Sequence, residues 1–148
     1  MRKVFLLLFS FCLFVNLMAQ NSDGICGTWL TESGKGKVKI EKTSTGYFGK
    51  IVWLREPCYK DGVAKMDKNN PKKECRTAPI LGLPVLKNFS YNAAEQKWNK
   101  GTIYDPENGK TYNCTITQPE PKKLYVRGYI GISLIGRTET WFKVMDVK

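Results

Sequence analysis

Histidine is absent from the 148 residues of this chain. A Ser-His-Asp triad, a cysteine nucleophile activated by histidine and a histidine metal ligand are therefore excluded. No Cys-x-x-Cys pair occurs either, so the usual spacing of a zinc site is missing. The closest carboxylate pair in the sequence, Asp105 and Glu107, lies in a predicted turn, where capping of the turn is the expected role. The sequence thus predicts no catalytic residue, no metal site and no cofactor, and it argues against an enzyme.

Long apolar runs are also scarce, since residues 4–18 form the one such stretch. Arg2 and Lys3 precede it, and Ala19 and a polar segment follow it, which is the three-part pattern of a secretory signal peptide. The run is too short for a typical membrane span of about 20 residues. We expect residues 1–19 to be a signal peptide and residues 20–148 to be one exported domain, periplasmic or secreted and not membrane-spanning.

Acidic residues are few beside basic ones, at 13 against 24, and the formal net charge is +11. The lysines are spread along the chain, as in residues 35–39, and form no long block. This favours a solvated basic surface, with some preference for anionic partners, over a nucleic-acid interface. The chain also has no motif of a nucleic-acid reader, so no nucleic-acid partner is expected.

No segment shows a long helical period, whereas strand patterns recur throughout the mature chain. Val38 and Ile40 alternate with polar residues, as in a half-buried strand. The turn signal Asp105-Pro106-Glu107-Asn108-Gly109 separates two further strand patterns. Residues 80–86 are ambiguous between a strand and a helical turn. The predicted strands cover residues 37–41, 47–54, 97–105, 110–118, 123–130 and 134–144.

The pattern predicts an all-β fold with about eight short strands, either a sandwich or a closed barrel. Gly49, Gly101, Gly128 and Gly136 fall inside strand patterns. Glycines there suit the bends of a closed sheet, so we favour a single small antiparallel β-barrel. Residues 55–79 contain several prolines and turn signals, which indicates one long loop that could act as a lid.

Four cysteines remain once the signal peptide is removed. In an oxidising compartment they suggest two disulfides, with three possible connectivities. Cys58 and Cys75 flank the turn-rich loop, and Cys26 and Cys114 lie in predicted strands. We therefore expect the pairs Cys58–Cys75 and Cys26–Cys114.

Five blocks of the sequence carry a recognisable pattern: Gly27-Thr28-Trp29-Leu30, residues 46–54, Asn70-Pro71 with Arg76, residues 101–112 and residues 127–141. In this order they resemble a bacterial exported family of unknown function, DUF2147. The resemblance covers nearly the whole mature chain and implies a barrel of the lipocalin or calycin type. It brings no established activity, catalytic residue or cofactor.

The Gly27-x-Trp29 element is also similar to the first-strand signature of lipocalins. There the tryptophan plugs one end of the barrel, and an arginine from near the last strand stacks on it. The resemblance implies a structural role for Trp29 with Arg137, or alternatively Arg127, as its partner.

Three functions remain open, in order of preference. The first is binding of a small apolar or amphipathic ligand inside the barrel, the second is an envelope or protein-interaction role with a packed barrel, and the third is an enzyme that works without histidine. Arg127 and Lys110 are candidates for binding an anionic head group. The predicted ligand-binding residues are Trp53, Asn70, Arg76, Tyr104, Tyr112 and Arg127. Oligomeric state does not follow from the sequence.

Overall fold

A computed structural model describes residues 21–145, and within them eight antiparallel strands form a closed barrel. Each strand pairs with its neighbours in chain order, and β1 pairs with β8 to close the barrel. The predicted all-β barrel is confirmed, whereas the predicted signal peptide lies outside the described residues. The strands are β1 (Gly27–Leu30), β2 (Gly36–Thr43), β3 (Gly46–Leu54), β4 (Pro84–Asn92), β5 (Lys97–Asp105), β6 (Lys110–Glu120), β7 (Lys123–Tyr129) and β8 (Gly136–Val144).

The ambiguous segment around residue 82 divides at Pro84, where β4 begins. Proline is tolerated at the first position of a strand because its missing N–H removes no interior ladder bond. The short 3-10 helix in this chain, Lys73–Cys75, lies in the long connection between β3 and β4. In the described part of the chain, no helix has the length and apolar character needed to cross a bilayer.

Alternating side chains of the eight strands point into the barrel and form one apolar core. Trp29, Trp98, Phe89 and Ile116 are at most 1 % exposed. Burial of large aromatic side chains is a major source of stability in a domain of this size. The aromatic part of the core lies towards one end of the barrel, where β3, β5 and β7 begin.

Residues 21–26 form the floor at that end of the barrel. Ile25 is fully buried, and its carbonyl accepts a 2.8 Å hydrogen bond from Trp29 Nε1. The Ser22 carbonyl accepts a 3.0 Å bond from Trp98 Nε1. Both indole N–H groups are therefore satisfied by the segment that precedes β1, which fixes that segment beneath the two rings.

The cation that packs on Trp29 is Lys143 and not the expected Arg137. Lys143 is the register partner of Trp29 across the β1–β8 seam, and its Nζ lies 5.1 Å from the indole ring centre. Arg137 pairs instead with Gly128, at the opposite end of β8, and its side chain is 83 % exposed. The lipocalin analogy places the tryptophan correctly but misassigns the cation because it does not fix strand register.

All four cysteines within residues 21–145 are free thiols, so neither expected disulfide is present. Cys114 is buried in the middle of β6, between Gly101 and Gly128, whereas Cys26 lies at the floor before β1. Cys58 bridges to Ala64 in one bend of the long loop, and Cys75 ends the 3-10 helix. Loop position and strand position alone do not bring two sulfur atoms together.

Candidate functional site

A cavity of about 1260 Å³ spans the half of the barrel that faces away from the floor together with the space between the loops at that end. It opens among the loops at that end, residues 31–35, 55–83, 106–109 and 130–135, which we call the mouth. The apolar wall is formed by the side chains of Val38, Ile51, Val85, Ile103, Val126 and Trp141. The interior is therefore partly hollow, and the hollow part is reached from one end.

Small inward positions explain why this half of the barrel is hollow. Gly128 lies on the wall, and a Cβ placed there would sit at ordinary contact distances, 3.4 Å from Ile103 and 3.6 Å from Tyr112. At Gly101, which is not part of the cavity wall, a Cβ would instead collide with the ring of Phe89. Gly128, on the cavity wall, leaves space free, whereas the space beside Gly101 is occupied by an aromatic ring.

Glu139 brings a carboxylate to the cavity wall, which the sequence reasoning missed. It points inward, two residues before the buried Trp141, and accepts a 3.1 Å hydrogen bond from Trp141 Nε1. Arg137, two residues nearer the mouth, lies 3.7 Å from its other oxygen. The alternation of β8, counted back from Trp141, was a sufficient signal for this position.

Tyr104 and Tyr112 both line the cavity, as the sequence reasoning expected. The Tyr112 hydroxyl accepts a 3.0 Å hydrogen bond from the Asn108 side chain at the β5–β6 turn. The Tyr104 hydroxyl donates to Asp67 Oδ1 at 2.7 Å. Burial, together with the bond to Asp67, raises the pKa of Tyr104 to about 12. Both rings thus contribute apolar wall while their hydroxyls are engaged by loops of the mouth.

Asp67 attaches the long loop to the barrel and was not singled out from the sequence. Its side chain is fully buried and accepts bonds from the Tyr104 hydroxyl and, at 2.7 Å, from the Asn70 amide. A buried carboxylate is tolerated only when its oxygens are paired in this way. The loop is therefore fixed beside the mouth by a satisfied internal acceptor.

A second contact holds the same loop against the β5–β6 turn. The Asn69 side chain donates to the carbonyls of Pro106 and Glu107, at 3.3 and 2.8 Å. Gly109, with φ +70°, approaches the Asn69 carbonyl so closely that no Cβ would fit between them. The long loop forms part of the rim, and several of its side chains, including Tyr59, Met66 and Ile80, line the cavity.

Asn70 and Arg76, which were expected to make the polar contacts of the long loop as a lid, are not among the residues that line the cavity. The Asn70 amide binds Asp67, and the Asn70 carbonyl accepts a 2.7 Å bond from Arg76 Nε. Both side chains therefore stabilise the fold of the long loop. The short separation of Asn70 and Arg76 in the sequence matches this turn within the long loop.

Trp53 lies on the outer face of the barrel and was wrongly assigned to the lining. The β2–β3 register shifts where Lys37 pairs with Trp53 but Val38 pairs with Ile51, so Val52 is an extra residue in β3. Such a bulge reverses the in–out alternation beyond it. Trp53 is 38 % exposed, and Lys37 Nζ lies 4.8 Å from its ring.

Arg127 also faces outward, because Leu124 and Val126 take the inward positions of β7. Its guanidinium donates to the Ser133 carbonyl at 2.8 Å, to Thr138 Oγ1 at 2.9 Å and to the Leu134 carbonyl at 3.4 Å. It therefore braces the β7–β8 loop and is not placed to bind a ligand head group inside the barrel. Lys110 is exposed and does not line the cavity.

Other cations stand at the mouth in place of those expected from the sequence. Two are paired with acids, Lys35 with Glu107 and Lys65 with Glu56, each at 3.2 Å. Such exposed pairs are weak and exchange readily with water or another anion. The cationic residues that line the mouth are Lys35, Arg55, Lys65, Lys68 and Arg137.

The cavity shows no activated nucleophile. Cys114 is 1 % exposed, and burial, followed by the negative charge of Glu139, raises the pKa of its thiol to about 12. A thiol in such surroundings stays protonated at neutral pH and is chemically inert. The described residues contain no group of three or more acidic or cysteine side chains that could hold a metal ion.

Residues 27–143 match the model of a protein family described as "Uncharacterized protein conserved in bacteria (DUF2147)". The chain belongs to this family. The match spans β1 to β8 almost in full, so the DUF2147 family and the barrel coincide in this chain. A search of curated proteins found no match.

Among solved structures, the barrel is similar to protein HP1028 from Helicobacter pylori, which is described as a member of the lipocalin family. The TM-score is 0.70 with 20 % sequence identity, over 82 % of this chain and 84 % of that chain. At this identity the similarity shows a shared fold. The DUF2147 barrel of this chain is thus lipocalin-like in architecture.

Proposed function

We propose that this DUF2147 barrel binds a small apolar or amphipathic molecule inside its cavity. The observation that carries the proposal is the 1260 Å³ space, which has an apolar wall of aliphatic side chains and Trp141, carries polar and charged groups towards its mouth and is open at one end. Ligand sites in proteins are typically concave, mostly apolar and lined by a few placed polar groups. A packed barrel, the alternative from the sequence, would leave no such space.

The polar groups of the cavity favour one orientation of an amphipathic ligand. Glu139 places a carboxylate on the wall, so a buried anionic group would meet repulsion there. Lys35, Arg55 and Arg137 lie at the rim, where an anionic group stays partly solvated. We infer that the ligand inserts an apolar body first and leaves an anionic head at the mouth.

Export of the protein is part of the same proposal. It rests on the basic start, the apolar residues 4–18 and the small residue Ala19. N-terminal sequencing of protein recovered outside the cytoplasm is expected to begin at Gln20. Recovery of the chain from the cytoplasm with Met1 intact would contradict export without bearing on the cavity.

Titration with two fluorescent probes tests the cavity. Cis-parinaric acid has an apolar body and an anionic head, and 1-aminoanthracene has no anionic head. We expect saturable one-to-one binding of both, with the acid bound more tightly. The variant Gly128→Leu projects a side chain from the wall into the cavity, where a Cβ meets only side-chain atoms, and its probe affinity is expected to fall at least about tenfold.

Trp53→Phe is the matched control, because Trp53 lies on the outer face of β3 and does not line the cavity. Its probe affinity is expected to equal that of the unaltered protein. Absence of saturable binding, or equal binding by Gly128→Leu, would overturn the proposal.

A further inference from the structure

The β7–β8 loop, residues 130–135, exposes four large aliphatic side chains within six residues. Ile130, Ile132, Leu134 and Ile135 are 66, 60, 85 and 69 % exposed. A single exposed aliphatic residue is ordinary, but several together on one segment mark an interaction surface. We call residues 130–135 the apolar loop.

Hydrogen bonds hold the apolar loop in this exposed shape. The Ile130 amide donates to the Ile135 carbonyl at 3.3 Å, and the Ile135 amide donates to the Ile132 carbonyl at 3.1 Å. Arg127 braces the loop from the barrel wall through the carbonyls of Ser133 and Leu134. The aliphatic side chains are therefore presented before any partner arrives, which lowers the entropic cost of association.

The four side chains divide into two pairs by position. Ile130 and Ile135 line the mouth of the cavity, whereas Ile132 and Leu134 do not contribute to its lining. The second pair therefore lies at the outer tip of the loop. Substitution of the tip pair leaves the cavity wall intact, so the two surfaces can be tested separately.

The same end of the barrel carries an excess of positive charge. Residues 55–83, which form the long loop of the rim, contain seven lysines and arginines against four acidic residues. Arg137, at the base of the apolar loop, is 83 % exposed. Exposed aliphatic residues beside basic ones are the combination that binds anionic membrane surfaces, since one inserts and the other meets the head groups.

We propose that the apolar loop inserts into the surface of an anionic phospholipid bilayer, with the mouth of the barrel facing the lipid. A second copy of the chain fits this surface poorly, because a stable interface uses about 20–30 residues a side and the apolar loop offers six. A few aliphatic side chains entering lipid need no complementary protein surface. This docking does not depend on whether the cavity holds a ligand.

Co-sedimentation with lipid vesicles tests the proposal on the purified mature chain. Vesicles of phosphatidylcholine containing phosphatidylglycerol are expected to bind the protein, and vesicles of phosphatidylcholine alone to bind it at least about tenfold more weakly. The double variant Ile132→Ser with Leu134→Ser is expected to lose at least about tenfold in affinity for the anionic vesicles. High salt is expected to weaken binding of the unaltered protein.

Met145→Ser is the matched control, since Met145 is 92 % exposed beyond the other end of β8. It is expected to bind vesicles like the unaltered protein, and both variants are expected to keep the unaltered thermal midpoint and probe binding. Equal vesicle binding by the double variant would overturn the proposal, as would absence of binding to anionic vesicles. A concentration-dependent dimer in sedimentation velocity, lost in the double variant, would assign the loop to self-association and also overturn it.

Discussion

The two ends of the barrel are built from the same strands, but one end is closed and packed and the other is open. At the floor, Trp29 and Trp98 are fully buried, and their N–H groups bind the backbone of residues 22–25. At the mouth, polar bonds such as Asp67 to Tyr104 join loop to strand while the interior beside them stays open. The floor excludes water by packing, whereas the mouth keeps its shape by hydrogen bonding.

A single strand shows the change from one end to the other. In β8, Lys143 covers Trp29 at the floor, Trp141 closes the bottom of the cavity, and Glu139 and Arg137 follow towards the mouth. From Trp141 towards the mouth, the inward positions of β8 thus change from a buried aromatic ring to charged and more accessible side chains. Stability should depend on the floor and ligand binding on the mouth, and each prediction below tests one side of this division.

The largest effect is expected at the floor, from Trp29→Ala. Removal of this fully buried indole should lower the free energy of unfolding by about 3–5 kcal/mol. Trp53→Ala, which alters a tryptophan on the outer face, should cost about 1 kcal/mol or less. Urea unfolding followed by circular dichroism measures the free energy of unfolding of both variants. Equal losses would show that Trp29 at the floor contributes no more to stability than Trp53 on the outer face.

The stability of the protein at alkaline pH tests the packing between the two ends of the barrel, where Cys114 is buried. Below pH about 9 its thiol is protonated in both the folded and the unfolded chain. Above that pH the unfolded thiol ionises, while the folded thiol, with a pKa of about 12, keeps its proton. The folded state should therefore lose stability between pH about 9 and about 12, by up to about 4 kcal/mol from this group.

Cys114→Ala should remove that part of the pH dependence. The measurement is the free energy of unfolding at several pH values for the variant and the unaltered protein. A parallel pH dependence of the two proteins would mean that water already reaches the thiol.

The same substitution, glycine to alanine, can be made in the packed part of the barrel at Gly101 and beside the cavity at Gly128. Gly101→Ala would drive a methyl group into the ring of Phe89 and should cost about 1–3 kcal/mol. Gly128→Ala meets only ordinary contacts and should change stability by about 0.5 kcal/mol or less. Thermal unfolding of the two variants compares the regions directly. A larger loss of stability in Gly128→Ala than in Gly101→Ala would contradict the conclusion that Gly128 borders open space and Gly101 borders a packed ring.

At the mouth, Asp67→Asn is expected to act locally rather than on the whole barrel. The amide nitrogen cannot accept the bonds that one carboxylate oxygen receives, so local stability should fall by about 1–3 kcal/mol. Hydrogen exchange should quicken in residues 64–80, while the amides of β1 and β8 at the floor keep their protection. Faster exchange throughout the barrel would show that the long loop is part of the global folding unit.

Much of the fold followed from local pattern, because alternation and turn signals act within a few residues. The hairpin around residues 105–109 and the closed all-β barrel were predicted in this way and are confirmed. The partner of Trp29 was not, since pairing Lys143 rather than Arg137 with it requires the register between the first and last strands.

The sequence predicted cavity-lining residues correctly only in strands where the in–out alternation of side chains continues without interruption. Tyr104 and Tyr112 line the cavity, but the bulge at Val52 turns Trp53 outward. Arg127 could have been placed on the outer face from the apolar positions of Leu124 and Val126. The free state of the four cysteines, by contrast, depends on distances between elements that no local pattern contains.

We conclude that the barrel is hollow at the mouth and sealed at the floor. The most direct test uses a fatty acid with a spin label near the end of its chain and measures the paramagnetic broadening of amide signals. Amide signals of Ile103, Val126 and Gly128, on the cavity wall, are expected to broaden on addition of one equivalent. Signals of Ser22 and Ile25, beneath the two indoles, are expected to broaden less. Broadening confined to the outer face, or equal at both ends, would contradict the account.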